Sequence, residues 1–203
     1  DQQIHQAGGK GIMIEPCVWI ILDETDKVVG AIGAHVDDFG IPGNHDSQTF
    51  LNVRETLRKM LRWSPWQATP CMWAGMWISQ EPDGKIYAGQ EEYCQQLVEI
   101  RLDSSKYRCK DDKLQPEDVT QFRAGLMKCQ WRATQTAPQF SCRVALLAQR
   151  VNEATVQDLK EVNSLIRDVK RTARDTLVFH NFNRYRRGQQ PLEWNEMILT
   201  TWV

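Results

Sequence analysis

The feature that most constrains this chain is a change in the period of its apolar residues. From Cys17 to Val36 they come as two unbroken runs, Cys17 to Leu22 and Val28 to Val36, separated by the polar "DETDK". Runs of this length, rich in Val and Ile and bounded by turn residues, are strands. A third short run, Phe39 to Ile41, follows, and Pro42 and Gly43 end it by removing a donor and loosening the backbone. From Asp46 the spacing becomes three and four, with Phe50, Val53, Leu57 and Leu61 on one face. That predicts an amphipathic helix, capped by Asp46 or Ser47 and stopped by Pro65.

The two periods recur downstream. Trp73, Gly75 and Trp77 run near period two, and a "PDG" turn leads to "KIYAG", which predicts a hairpin. "EEYCQQLVEI" is a short helix candidate. Pro116 and the two acids after it open a longer helix with Val119, Phe122, Leu126, Cys129 and Ala133 facing inward. Pro138 breaks that helix and starts another, with Phe140, Val144, Leu147 and Val151 inside. Thr155 caps a third, whose apolar line runs Val156, Leu159, Val162, Ile166, Val169. Beyond Thr176 two short strand candidates flank a basic loop. Strands with one helix first, then helices, favour an α+β fold with segregated lobes over a doubly wound α/β domain.

Composition narrows the class further. Ordinary apolar content over 203 residues suits one sizeable core or two small ones. A formal charge of −1 advertises no polyanionic partner, although the stretch from Arg143 to Arg187 carries a local basic excess that a phosphate backbone could use. The six cysteines are scattered without a C-x-x-C pair, so neither a zinc knuckle nor a disulfide scaffold is indicated, and a reducing intracellular compartment is expected. No apolar run approaches a membrane span, and the start lacks a signal-peptide layout. A start without Met and an apolar end, "LTTWV", suggest a piece of a longer chain.

"GAHVDDFGIPG" carries the chemistry. If Val28 to Val36 and Phe39 to Ile41 pair antiparallel, Asp37 and Asp38 form the two-residue connection, a role that Asp suits. A solvated turn is one reading. A second takes Asp38-Phe39-Gly40 as the metal-binding tripeptide of a protein kinase, but the 37 residues before it contain no Gly-rich loop, no strand Lys with a helix Glu and no catalytic loop. A third takes the two aspartates as the metal apex of a nucleic-acid polymerase, where carboxylates hold the two Mg²⁺ ions of an in-line displacement. Two adjacent acids repel, and a divalent cation removes the conflict.

The order of several segments resembles the C-terminal part of a copia-type (Pseudoviridae-like) retrotransposon reverse transcriptase over nearly the whole chain. "EPCVWII" resembles the family's "DPCVF", which leads into an aromatic-x-Asp-Asp hairpin, here "HVDD". "MWAGMWISQ" resembles "FLGIxI", the primer-grip hairpin, and "GKIYAGQEEYCQQLVE" its continuation. "FRAGLMKCQWRATQTAPQFSCRVALLAQ" resembles the thumb-side helices "YRSxVGxLxWLAxxTRPDLxFAVxxLSQ", and "TVQDLKEVNSLIRDVKRT" the helix that follows them. The closing "ILTTWV" is similar to the strand that leads into ribonuclease H.

The resemblance implies a partial polymerase palm of β-hairpins plus one helix over residues 1–90, a helical thumb or connection lobe over 91–176, and a linker with a first ribonuclease H strand over 177–203. It implies that Asp37 and Asp38 bind Mg²⁺ or Mn²⁺ and carry catalysis. His35, Trp73, Gly75 and Trp77 would lie against nucleic acid, with Gly75 letting a backbone approach. For Trp73 and Trp77 the alternative is a hairpin whose rings cover the core. Arg123, Lys128 and Arg132, read as the face opposite the apolar stripe, would follow phosphates, the alternative being a merely solvated face. Arg184, Arg186 and Arg187 have the same two readings. The implied partners are an RNA or DNA template with primer, deoxynucleoside triphosphates and the remaining reverse transcriptase and ribonuclease H segments, in a cytoplasmic retroelement particle or the nucleus, with no membrane.

The chain departs from the family at two places: His35 stands where Tyr or Phe is usual, and "TAPQF" replaces "TRPDL". The upstream palm strand with its metal-binding aspartate is expected outside the chain, so the fragment alone is expected to be catalytically incomplete. A decayed or domesticated remnant that binds nucleic acid or protein without chemistry is the competing reading.

Overall fold

A computed structural model describes residues 2–180 of the chain. The strand expected over "ILTTWV", the loop arginines Arg184, Arg186 and Arg187, and most of the segment 177–203 lie outside the described residues. The fold is mixed α+β with two small antiparallel sheets. It divides into two compact units, Asp1–Met76 and Trp77–Val203.

In the first unit a short helix α1 (Gln2–Ala7) precedes strands β1 (Lys10–Gly11), β2 (Val18–Leu22), β3 (Val28–His35) and β4 (Asp38–Gly40), which pair in sequence order. Helix α2 (Gln48–Met60) covers this sheet with Phe50, Val53 and Leu57, which pack with Trp19, Ile21, Val29 and Ile32 into one buried cluster. The Phe50 ring lies so close to the backbone that a Cβ on Gly43 would come within 2.2 Å of it. A glycine is required there because the ring fills the side-chain space. Ser47 caps α2, its hydroxyl accepting from the Phe50 N–H at 3.3 Å. The helix ends at Met60, ahead of the expected stop at Pro65. Leu61 turns extended, and the Leu57 carbonyl, which accepts from the Leu61 N–H at 3.2 Å, takes a second hydrogen bond from the Trp63 indole N–H at 2.8 Å. Strand β5 (Cys71–Trp73) lies beside β4.

The second unit holds most of β6 (Met76–Gln80), then β7 (Ile86–Gly89) and helices α3 (Glu91–Gln95), α4 (Pro116–Gln135), α5 (Ser141–Ala148) and α6 (Val156–Arg171). Strand β8 (Leu177–Phe179) returns to pair with β7, Ile86 opposite Phe179. That long-range pairing ties β7 to the helices, so the units divide after Met76, ahead of the expected boundary at residue 90. Phe122, Leu126 and Cys129 of α4, Val144 and Leu147 of α5, and Leu159, Val162, Ile166 and Val169 of α6 form the core. Val151, expected inside, is half-buried beyond the end of α5, and Leu165 joins the α6 face instead. No described helix is long and apolar enough to cross a membrane.

Candidate metal-binding hairpin

The β3–β4 pairing sets His35 opposite Asp38. The two-residue connection is therefore Val36–Asp37, one position before the expected Asp37–Asp38, and Asp38 opens β4. Val36 has φ +56, whereas Asp37 is not among the residues with positive φ. Positive φ at the first central residue alone is the II′ pattern that suits the twist of a hairpin, and glycine normally supplies it. A β-branched residue there is strained, and its side chain is 88% exposed, so burial does not compensate. The local preference of Val for extended structure is what shifted the expected register.

Asp37, Asp38 and His35 are all exposed. Asp38 Oδ2 accepts a hydrogen bond from the Ala74 N–H at 3.1 Å, which orients the carboxylate through one of its oxygens. Ala74 and Gly75 both have positive φ, +48 and +72, the I′ pattern of a two-residue turn. Trp73 ends β5 and Trp77 is the second residue of β6, so the period-two spacing of Trp73, Gly75 and Trp77 does not mark one strand.

Trp73 joins strand β5 to the β3–β4 hairpin. Gly33 and Gly40 are cross-strand partners, and the indole lies over both: a Cβ on Gly40 would meet Trp73 Cε2 at 3.3 Å, and one on Gly33 would meet Cζ2 at 3.8 Å. The glycine pair makes a side-chain-free slot for the ring. The Trp73 indole nitrogen is buried there with no hydrogen-bond partner among the described residues. Trp77, in the second unit, is half exposed.

Of the three basic residues expected on the outer face of α4, Arg123 and Lys128 are exposed and Arg132 is fully buried. The correction follows from spacing: Arg132 lies three residues past Cys129 and four before Thr136, both buried. Its guanidinium donates to the Thr136 hydroxyl and to the carbonyls of Thr172 at 3.1 Å and Asp175 at 2.8 Å. A residue so enclosed cannot follow phosphates.

Two hard carboxylates at an exposed tip suit Mg²⁺ or Mn²⁺ as part of a coordination shell that water and substrate oxygens complete. Among the described residues no group of three or more His, Cys, Asp or Glu side chains could hold a metal ion. Sequence reading passed over a neighbouring aromatic group, Phe39, Trp63 and Trp66, whose rings meet edge to face at 5.2 and 5.4 Å. Its signal was the alternation of basic and aromatic residues in "RKMLRWSPW". Comparison with protein-family models, curated proteins and solved structures yields no match for the chain.

Proposed function

We propose that the chain is part of an RNA-directed DNA polymerase of the copia-type retrotransposon class, the first unit carrying the end of the palm and the helical unit a thumb. One observation carries the reading. A tight hairpin exposes Asp37 at its tip, and the end of β5, with Trp73 and Ala74, is pinned to it through Asp38 and the Gly33–Gly40 slot.

In this reading Asp37 is a metal ligand, and Asp38 offers the oxygen that Ala74 does not engage. The bound divalent ions would activate the primer 3′-hydroxyl and neutralise the triphosphate. The Ala74 N–H holds Asp38 in place, so loop motion does not have to be arrested when the ion arrives. Trp73 fixes the end of β5, and Gly75 offers a turn that a nucleic-acid backbone can approach.

The direct test is on the chain itself: titration with Mn²⁺ should broaden the amide resonances of residues 36–39 first, and Asp37→Asn should remove that effect. With the reading frame extended upstream, Mg²⁺-dependent extension of an oligodeoxythymidylate primer on polyriboadenylate should fall at least about a hundredfold in Asp37→Asn, the loss of a group that acts in the transition state. Extension retained in that variant overturns the metal role. Metal-independent nucleic-acid binding without extension would favour the non-catalytic remnant.

A further inference from the structure

A second surface of the first unit has a chemistry of its own. Past the end of α2, Arg58, Leu61, Trp63, Ser64, Pro65 and Trp66 line an open cleft of about 330 Å³. Its aromatic floor is fixed rather than loose. The Trp63 indole is tied to the Leu57 carbonyl at 2.8 Å and packs edge-on against Phe39, and Trp66 packs edge-on against Trp63. The Arg58 guanidinium lies 5.9 Å from the Trp66 ring centre, within cation–π range. Trp66 remains 37% exposed.

The chain that leads into this floor is predominantly basic. Between Gln48 and Trp66 the chain has Arg54, Arg58, Lys59 and Arg62 against Glu55 alone. Lys59 pairs with Glu55 at 3.6 Å, and Arg54 stands beside His45 and over the Phe50 ring. Arg58 and Arg62 are exposed and have no carboxylate partner among the described residues.

We propose that this cleft binds single-stranded nucleic acid, one base stacking on Trp66 while Arg58 and Arg62 take the adjacent phosphates. An exposed aromatic ring with one unpaired arginine in the cleft lining, Arg58, and a second in the loop that carries the ring, Arg62, suits sequence-tolerant single-strand binding. A cleft at the small end of the ligand-pocket range, about 300 Å³ and up, admits one ring system. A proline-rich peptide could also use an aromatic groove, but it gives two arginines no anion. The choice of nucleic acid rests on that charge and on the polymerase reading above.

The test is fluorescence anisotropy of the full chain with a labelled oligodeoxythymidylate 8-mer across a salt series. Trp66→Ala should weaken binding at least fivefold, the loss expected for one stacked base. The Arg58→Ala/Arg62→Ala pair should lower the slope of log affinity against log salt by about 1.4, two phosphates at about 0.7 each on a single strand. Both side chains are exposed, so amide spectra should show these variants folded. Unchanged affinity in Trp66→Ala together with an unchanged slope in the arginine pair overturns the proposal, as does a proline-rich decapeptide displacing the oligonucleotide from wild type. Loss of binding on Trp66→Ala in a chain whose upstream-extended form extends no primer keeps this cleft and sinks the polymerase reading.

Discussion

Arg132 sits where a full charge is costly, at the centre of the helical unit with none of its surface in contact with solvent. Its hydrogen bonds go to a hydroxyl and two carbonyls, and the carbonyls belong to the C-terminal end of α6 and the turn beyond it, the negative end of that helix. The Thr136 hydroxyl passes its own proton to Gln90 Oε1 at 2.7 Å, so one guanidinium organises the α4 terminus, the start of α3 and the end of α6. Arg132→Ala should therefore lower unfolding stability by about 3 kcal/mol or more, since it empties a buried volume and orphans several acceptors at once. Urea denaturation followed by circular dichroism measures it. A loss below about 1 kcal/mol, with a weaker salt dependence of nucleic-acid binding, would return Arg132 to the phosphate-following role that its spacing does not support. The hydrophobic pattern of α4 was legible in sequence because Phe122, Leu126, Cys129 and Ala133 repeat at helical spacing. The same spacing places Arg132 on that stripe, but what lets a guanidinium be buried there was not legible, because two of its acceptors come from residues 40 and 43 positions away. Asp37 is the reverse case: its place at a hairpin tip was readable from flanking strands, while the one-residue register depended on a strained Val36 that local preference argues against.

Elements with a strong period and a local cap were read almost to the residue. Helix α6 begins where Thr155 predicts, and its cap is reciprocal: Asp158 N–H donates to the Thr155 hydroxyl at 3.3 Å, and the Thr155 N–H donates to Asp158 Oδ2 at 2.9 Å. Elements held by distant partners were not read. Helix α1 is too short to show a period, and its Ile4 and Ala7 are buried by the core of the first unit. The Ala74–Gly75 turn was hidden because tryptophans on both sides imitate alternation. The α6 cap carries a pH dependence. Burial acts to raise the pKa of Asp158, but the hydrogen bonds from Arg150 at 2.9 Å and from Thr155 outweigh it and hold the carboxyl below its ordinary value. A carboxyl depressed in the folded state contributes stability that is present in full above its unfolded pKa, about 3.9, and lost as pH falls through the lower folded value. Asp158→Asn should thus be less stable than wild type at pH 7 and should lose less between pH 5 and pH 3. Urea midpoints at those three pH values decide it. Parallel acid limbs in the two proteins would mean that Asp158 does not couple protonation to folding.

The described residues form two cores, and their sizes differ. The first unit closes around Trp19, Ile21, Ile32, Phe50 and Leu57 within 76 residues, while the second joins α4, α5 and α6 in a larger cluster. Small units bury a smaller fraction of their surface and retain less stability after chain entropy is met. The strain at Val36 and the exposed aromatic cleft subtract further from the first unit, the one that carries both candidate sites. In the proposed reading, the candidate sites and the lower stability fall in one unit, as expected where a site needs groups that the core would rather cover. The second unit supplies a built-in reporter: Cys129 is fully buried, and burial pushes its thiol up to about 12, so it stays a thiol and unreactive until the helices part. In rising urea, amides of Ile21 and Ile32 should lose hydrogen-exchange protection at lower concentration than the one at which Cys129 becomes open to pulsed alkylation. Exposed Cys17, Cys109 and Cys142 should react throughout, giving an internal control for reagent activity. Coincident loss of strand protection and Cys129 shielding would show a single cooperative unit instead, and the division after Met76 would then describe contacts without describing stability.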